Sequence, residues 1–260
     1  MLYSSNELLL GLIAFILVFV AAEFGFRLGS GHRSDVVEST RTHFAALQAT
    51  LLGLLALVLA FTFSIAVARF DARKDLVIQE SNAVGTTYLR ARLLRDSHRK
   101  EAIGLLGAYV DEQLAFYDAG VDPVRFNAAT TAIAKLQERL WLIAIAASEE
   151  DPRSVPTGLF VQSLNEMIDL HAKRIKALEN RLPDVVIYLV LAVTIVAIGF
   201  VGYGRGLVGR RNFVSIAIMA ALIVMVLTII LDLDRPRRGM ITVSQASFES
   251  LQEVLRRALP

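Results

Sequence analysis

No cysteine occurs among the 260 residues, which removes disulfides, thiolate catalysis and cysteine-held zinc or iron–sulfur centres together. The same absence leaves the redox character of the compartment unread. Histidine is scarce: His32, His43, His98 and His171 are dispersed, with no HExxH or other paired spacing, so no metal site and no cofactor are expected. Serine and histidine form no nucleophile-elbow pattern and no nucleophile–base–orienter set, which makes an enzyme the least supported class. There is no basic patch interleaved with aromatics. The formal charge of +2 and pI of 9.0 come from basic residues gathered at the ends of apolar runs, which reads as membrane anchoring and excludes a nucleic-acid partner. Internal repeats and low-complexity tracts are absent too.

What is present in excess is apolar sequence. A hydrophobic content of 55% and a mean hydropathy of +0.53 lie outside the soluble range, and the excess sits in four blocks. The chain is organised around one of them, Phe44 to Arg73, which carries no charge from Phe44 to Ala68 and then ends in Arg69, Phe70, Asp71 and Arg73. At about 1.5 Å per helical residue this run crosses a hydrocarbon core of roughly 30 Å. Gln48, Thr50, Gly53, Ala56, Ala60, Thr62, Ser64, Ala66 and Ala68 dilute its leucines, as in a helix packed against protein or water and not lipid. It is expected to be the most buried helix of an assembly.

The other blocks follow the same logic. Leu8 to Ala22 is an apolar run closed by Glu23 and Arg27; Val20-Ala21-Ala22 resembles a signal-peptide cleavage site, but the preceding residues carry Glu7 and no Lys or Arg, so the run reads as a first span. Glu23 and Arg27 are spaced for an i,i+4 ion pair. Leu28 to His43 reads as a polar connector. Past Ala68 the second span continues as a helix toward Arg95, with no proline and only Gly85 to interrupt it. Asp96 or Ser97 can cap the next helix, whose apolar positions Ile103, Leu106, Val110 and Leu114 last until Gly120. Asp122-Pro123 is a strong start signal for another, running through Ile133, Leu136, Leu140 and Ile143 to about Ala147, with Trp141 beside the stripe. Ser148 to Pro156 reads as a loop and Leu159 to Arg181 as a helix halted before Pro183. Asp184 leads into a third span, Val185 to Gly204, that finishes in the turn GYGRGLVGRR; Phe213 to Leu231 is the fourth, closed by DLDRPRRG. A last helix carries Phe248, Leu251, Leu255 and Ala258 on one face.

The fold class is therefore all-α: a polytopic membrane protein with four transmembrane helices and a helical extramembrane domain. Residues 1–69 hold the first two spans, 70–182 the helical domain, 183–232 the last two spans and 233–260 a turn and a final helix. Four spans put both termini and the domain on one side. The short connectors hold Arg27, Arg33, Arg41, Arg205, Arg210 and Arg211. Arg69, Arg73, Lys74, Lys173, Arg174, Lys176, Arg181, Arg235, Arg237 and Arg238 lie opposite, which favours a cytoplasmic domain. GYGRG, Gly202 to Gly206, looks like a potassium filter but lacks the preceding threonine–valine and sits at a span end; the GxGxxG at Gly204 to Gly209 follows a helix instead of a strand.

Two stripes run along the second span. Thr50, Leu54, Leu57, Phe61, Ser64, Ala68 and Asp71 form one; Gln48, Leu52, Leu55, Leu59, Thr62, Ala66, Arg69 and Arg73 form the other. With the first facing a symmetry axis, copies of Phe61 make a constriction with an acidic exit that suits cations. With the second inward, Thr62 and arginine rings suit anions. Sequence does not fix the rotation. Asp232, Asp234 and Arg235 at the end of the fourth span lie at similar depth to Arg69 and Arg73, either to pair with them or to act on ions. Asn82, Thr86, Tyr88 and Arg90, and Asn165, Asp169, His171 and Arg174, are polar positions on amphipathic helices, read as solvated or intersubunit surface with a small-ligand gate as the alternative.

The second span with its exit AFTFSIAVARFDARKDLVIQESNAVGTTYLR, the segment NEMIDLHAKRIKALENRLP and the turn DLDRPRRGMITVSQ resemble the bacterial bestrophin-like membrane proteins, over about Ala45 to Leu251. The resemblance implies a homo-oligomer, a pentamer, whose second span lines an anion pore with an aromatic neck, here Phe61 and Phe63. It also implies membrane lipids and permeant small ions as partners. The long acidic run of the bestrophin calcium clasp is missing, with only Asp232 and Asp234 in its place. The reading is a passive ion channel, anions slightly favoured; the alternative is a non-conducting scaffold or sensor whose helical domain binds a partner.

Overall fold

The computed structural model describes residues 7–32, 38–209, 213–235 and 240–258, and each regular element in them is an α-helix. In chain order these are α1 (Glu7–Gly31), α2 (Glu38–Ala91), α3 (Asp96–Asp118), α4 (Pro123–Glu150), α5 (Val155–Glu179), α6 (Asp184–Val208), α7 (Phe213–Asp234) and α8 (Ala246–Ala258). Stretches containing α1, α2, α6 and α7 are long and apolar enough to cross a membrane. The chain separates into two units, Met1–Arg69 with Arg181–Arg235, and Phe70–Asn180 with Pro236–Pro260. Arg33, Arg210, Arg211, Pro236, Arg237, Arg238 and Gly239 lie outside the described residues, as does the side chain of Arg41.

In the first unit α1 and α6 cross at backbone contact, and glycine makes this possible. A methyl group added at Gly25 would land on the carbonyl of Gly199, at Gly29 on that of Tyr203, at Gly202 on that of Ala22 and at Gly206 on that of Phe26. Each helix thus offers a small residue at i and i+4 on the facing side, the spacing that lets helices approach where no hydrophobic effect drives them together. The glycine-rich segment read from sequence as a turn is therefore helix as far as Val208. The helix ends only at Gly209, whose φ of 69° caps α6 in the left-handed region. Flanking the crossing, Val18, Ala22 and Ile198 pack with Ile216, Ala220 and Val224 of α7.

The expected connector Leu28 to His43 is also shorter than read, because α1 continues to Gly31 and α2 starts at Glu38. The polar residues of that end serve the helix itself. The Ser30 hydroxyl donates to the Arg27 carbonyl at 2.8 Å, and the His32 ring Nδ1 reaches the Leu28 carbonyl at 2.9 Å. Glu23 and Arg27 form the spaced ion pair at 3.0 Å, one full turn inside α1.

In the second unit α3, α4, α5 and α8 close around the last turns of α2, with Val84, Leu106, Val110, Ile133, Leu140, Leu164 and Phe248 fully buried. Asp122 caps α4 as its sequence signals, accepting from the backbone N–H of Val124 at 2.9 Å and of Arg125 at 3.3 Å. Three other boundaries move. α3 has Arg95 at its N-cap, with no side-chain cap bond, and Asp96 already in the first turn. α4 runs on to Glu150, and Ser154 caps α5, so Pro156 sits inside the first turn of a helix and not in a loop. A proline there costs nothing, since its missing N–H would have had no helical partner.

Candidate functional site

The face of α2 expected to matter is divided cleanly by burial. Thr50, Leu54, Leu57, Phe61, Ser64, Ala68 and Asp71 are all exposed in the single chain. Leu55, Thr62, Ala66 and Arg73 are buried, and Gln48, Leu52, Leu59 and Arg69 half-buried. One stripe is committed to the subunit and the other is left for something outside it. Phe61 is the extreme case at 63% exposure, beside Leu57 at 52% and Leu54 at 47%; Phe63, off the stripe, is 40% exposed. A spacing of three and four residues continues the open stripe beyond Asp71 through the exposed Asp75, Ile78 and Asn82. Thr62 turns its hydroxyl back onto its own helix, donating to the Val58 carbonyl at 2.7 Å.

The charges at the exits of α2 and α7 are placed by the fold. Asp234 is fully buried, accepts at 2.8 Å from the backbone N–H of Leu182, and lies 3.7 Å from Nη1 of Arg69. Asp232 and Arg235 are buried as well, at 2% and 4% exposure. The ion pair between the exits of the second and fourth spans, one of the arrangements open from sequence, therefore forms. Arg73 reaches neither solvent nor the open stripe. Its Nε donates to the Ala177 carbonyl at 3.2 Å and its Nη2 to the Asn180 carbonyl at 2.8 Å. A guanidinium on the last carbonyls of α5 satisfies acceptors that the helix leaves open and opposes the negative end of its dipole.

Sequence reading missed the most concentrated chemistry of the second unit. Glu80 of α2 is fully buried, and both its oxygens are engaged. Oε1 accepts from the Tyr109 hydroxyl at 2.8 Å and from Gln113 Nε2 at 2.8 Å, with His171 Nδ1 at 3.0 Å; Oε2 accepts from Arg174 Nη1 at 2.9 Å. Arg174 also donates to Gln113 Oε1 at 3.1 Å and to Gln245 Oε1 at 2.9 Å, and its guanidinium lies against the rings of Phe116 and Phe248. Burial pushes the Glu80 carboxyl up, but the hydrogen bond from His171 and the charge of Arg174 outweigh it and hold it below its ordinary value. Burial, then the neighbouring Glu80 charge, pushes the Tyr109 phenol well up, so it stays a donor. Sequence alone reads His171 and Arg174 as solvated or intersubunit positions, with a small-ligand gate as the alternative, whereas both are buried. The signal that could have corrected this is Glu80 itself, a charge three residues after Val77 and four before Val84, on the apolar face of its helix.

Helices that span a membrane by length and apolarity, joined to an amphipathic helical unit with its own buried core, define a polytopic all-α membrane protein. The Bestrophin-like domain family matches residues 9–248, and the chain belongs to that family. Its fold is similar to the crystal structure of a bacterial bestrophin homologue from Klebsiella pneumoniae, with a TM-score of 0.68 over 94% of this chain and 97% of the other at 14% identity. No curated protein matches the chain.

Proposed function

We propose that the protein is a homo-oligomeric, passive channel for small ions, with the open stripe of α2 lining the axis. The observation that supports this is the complementary burial of the two stripes: a transmembrane helix that turns Thr62, Arg69 and Arg73 into its own subunit leaves Phe61 and Asp71 exposed and available to sister copies. In a symmetric ring, Leu54, Leu57 and Phe61 would form a hydrophobic constriction that an ion passes by shedding water, and Ser64 would supply hydroxyls below it. Ion sign follows from the same rotation. The family resemblance favours anions, but the arginines that would attract them are engaged with Asp234 and with the end of α5, whereas Asp71 is exposed on the lining face, so we favour cations. A pentamer in a bacterial inner membrane, with the helical unit cytoplasmic, completes the proposal.

The test is reconstitution of the purified protein in liposomes and planar bilayers under potassium, sodium and chloride gradients. Cation-selective reversal potentials are expected. Asp71→Arg should shift them toward chloride by tens of millivolts, while Phe61→Ala should raise unitary conductance several-fold. Absence of flux in every gradient would instead favour the scaffold reading. Unchanged selectivity in Asp71→Arg would remove the acidic ring from the mechanism.

A further inference from the structure

Between the end of α5, the segment before α8 and the adjoining turns of α2 and α3, the second unit encloses a cavity of about 260 Å³, at the small end of ligand sites. Its polar wall is unusual for a core. Arg73 and Arg174 both line it, at 3% and 4% exposure, together with Gln245 and Thr242. The rest of the lining is largely apolar, with Val77, Phe116, Leu178 and Val243. The acid at its lining, Asp118, is exposed to solvent, and Glu80 pairs with the single positive charge of Arg174. Arg174 donates three hydrogen bonds, all from Nη1 and Nη2, so its Nε–H takes part in none of them. The rings of Phe116 and Phe248 lie against its guanidinium, their centroids 5.7 Å and 5.2 Å from its Cζ. A guanidinium fixed in this way, with a donor to spare at a cavity wall, is preorganised for an oxyanion.

We propose that this cavity binds a small organic carboxylate. The carboxylate would accept from the Arg174 Nε–H side, in the field of Arg73, and a short aliphatic or aromatic body would lie against Val77, Leu178 and Val243. The apolar wall sets the class: an inorganic oxyanion would meet the guanidinium but leave that wall facing its own charge, and a neutral amide would meet the wall but not the charge. The site stands on the second unit alone and does not depend on whether the protein conducts ions.

The experiment is calorimetric titration of the full-length, detergent-purified protein at constant ionic strength with butyrate, butyramide and inorganic phosphate, repeated on Thr242→Glu and Thr242→Gln. Thr242 is exposed at the lining, so neither substitution disturbs a buried contact. Saturable butyrate binding is expected, with phosphate and butyramide at least tenfold weaker. Thr242→Glu should weaken butyrate by tenfold or more through like-charge repulsion, and Thr242→Gln should keep it within about threefold. Phosphate binding as tight as butyrate, equal butyrate affinity in Thr242→Glu, or no saturable heat with butyrate would each overturn the proposal.

Discussion

The two units solve the problem of holding helices together in opposite ways. In the first, α1 and α6 meet where side chains are missing: Gly25, Gly29, Gly202 and Gly206 bring backbone onto backbone. In the second, the centre is a carboxylate, a phenol, an amide, an imidazole and a guanidinium hydrogen-bonded to one another inside an apolar shell. The difference follows from the solvent each composition implies. Where lipid surrounds a helix, leucine gains nothing by meeting another leucine, and close approach is what remains. Where water surrounds a bundle, apolar burial is available everywhere and non-specific, and a polar network adds a cost for every wrong register. That the Glu80 network serves such specificity is a hypothesis, and it is the part most open to a decisive measurement.

The largest effect should come from breaking that network on one side. Glu80→Gln removes the charge that Arg174 and His171 face and should cost the second unit about 3–5 kcal/mol, as for one member of a buried pair. The readout is local, since Trp141, the only tryptophan, lies on α4 of this unit. Its fluorescence transition in denaturant should move to lower concentration. Replacing both partners, Glu80→Met with Arg174→Met, should cost less than the sum of the single changes, because no buried charge is then left alone. Acid probes the same group without mutation. The Glu80 carboxyl lies below its ordinary value of 4.5 in the fold, so the unfolded chain binds the proton first as the pH drops. The contribution of Glu80 is therefore complete above pH 4.5 and is lost as the pH falls through the folded-state value; Glu80→Gln should flatten that decline.

A smaller effect should come from the glycine crossing. Gly202→Val places branched carbon on the Ala22 carbonyl and should cost about 1–3 kcal/mol through forced separation of α1 and α6. Here the Trp141 transition should stay where it is while the loss of helical circular dichroism begins earlier. A Trp141 transition that shifts in step with the helical signal would mean that the two units melt as one, and the contrast between their packing would have no energetic counterpart.

What sequence disclosed, and what it hid, follows the same division. Four spans, the Asp122-Pro123 start and the apolar face of α8 were legible because each depends on local pattern: length, a cap, a period. The GYGRGLVGRR segment was misread because glycine is ambiguous from inside the chain. It permits a turn and it permits contact, and only a partner helix decides between them. Arg73 and Arg174 were placed at an exit ring and on a surface for a related reason. Their partners are the end of α5 and a glutamate more than ninety residues away in sequence, which no spacing rule reaches. The two stripes of α2 stand as alternatives in sequence, since a heptad pattern gives a face without saying what it faces; the fold adds only that one of them is turned into the subunit.

The smallest expected effect tests that choice. Thr62 belongs to the stripe turned into the subunit, and its hydroxyl bonds the carbonyl of Val58 one turn back, an oxygen that already has a helical partner. Thr62→Val keeps the shape and removes only that second bond, so it should cost about 0.5–1 kcal/mol. If the open stripe lines the axis, the same substitution should leave unitary conductance and reversal potential as they are, one residue away from Phe61, where truncation should change conductance several-fold. The comparison within one helical turn is stringent because depth in the membrane is the same for both residues and only the rotation differs. A conductance change in Thr62→Val as large as that in Phe61→Ala would mean that α2 rotates or that the axis lies on its other side, and the preference for cations would fall with it.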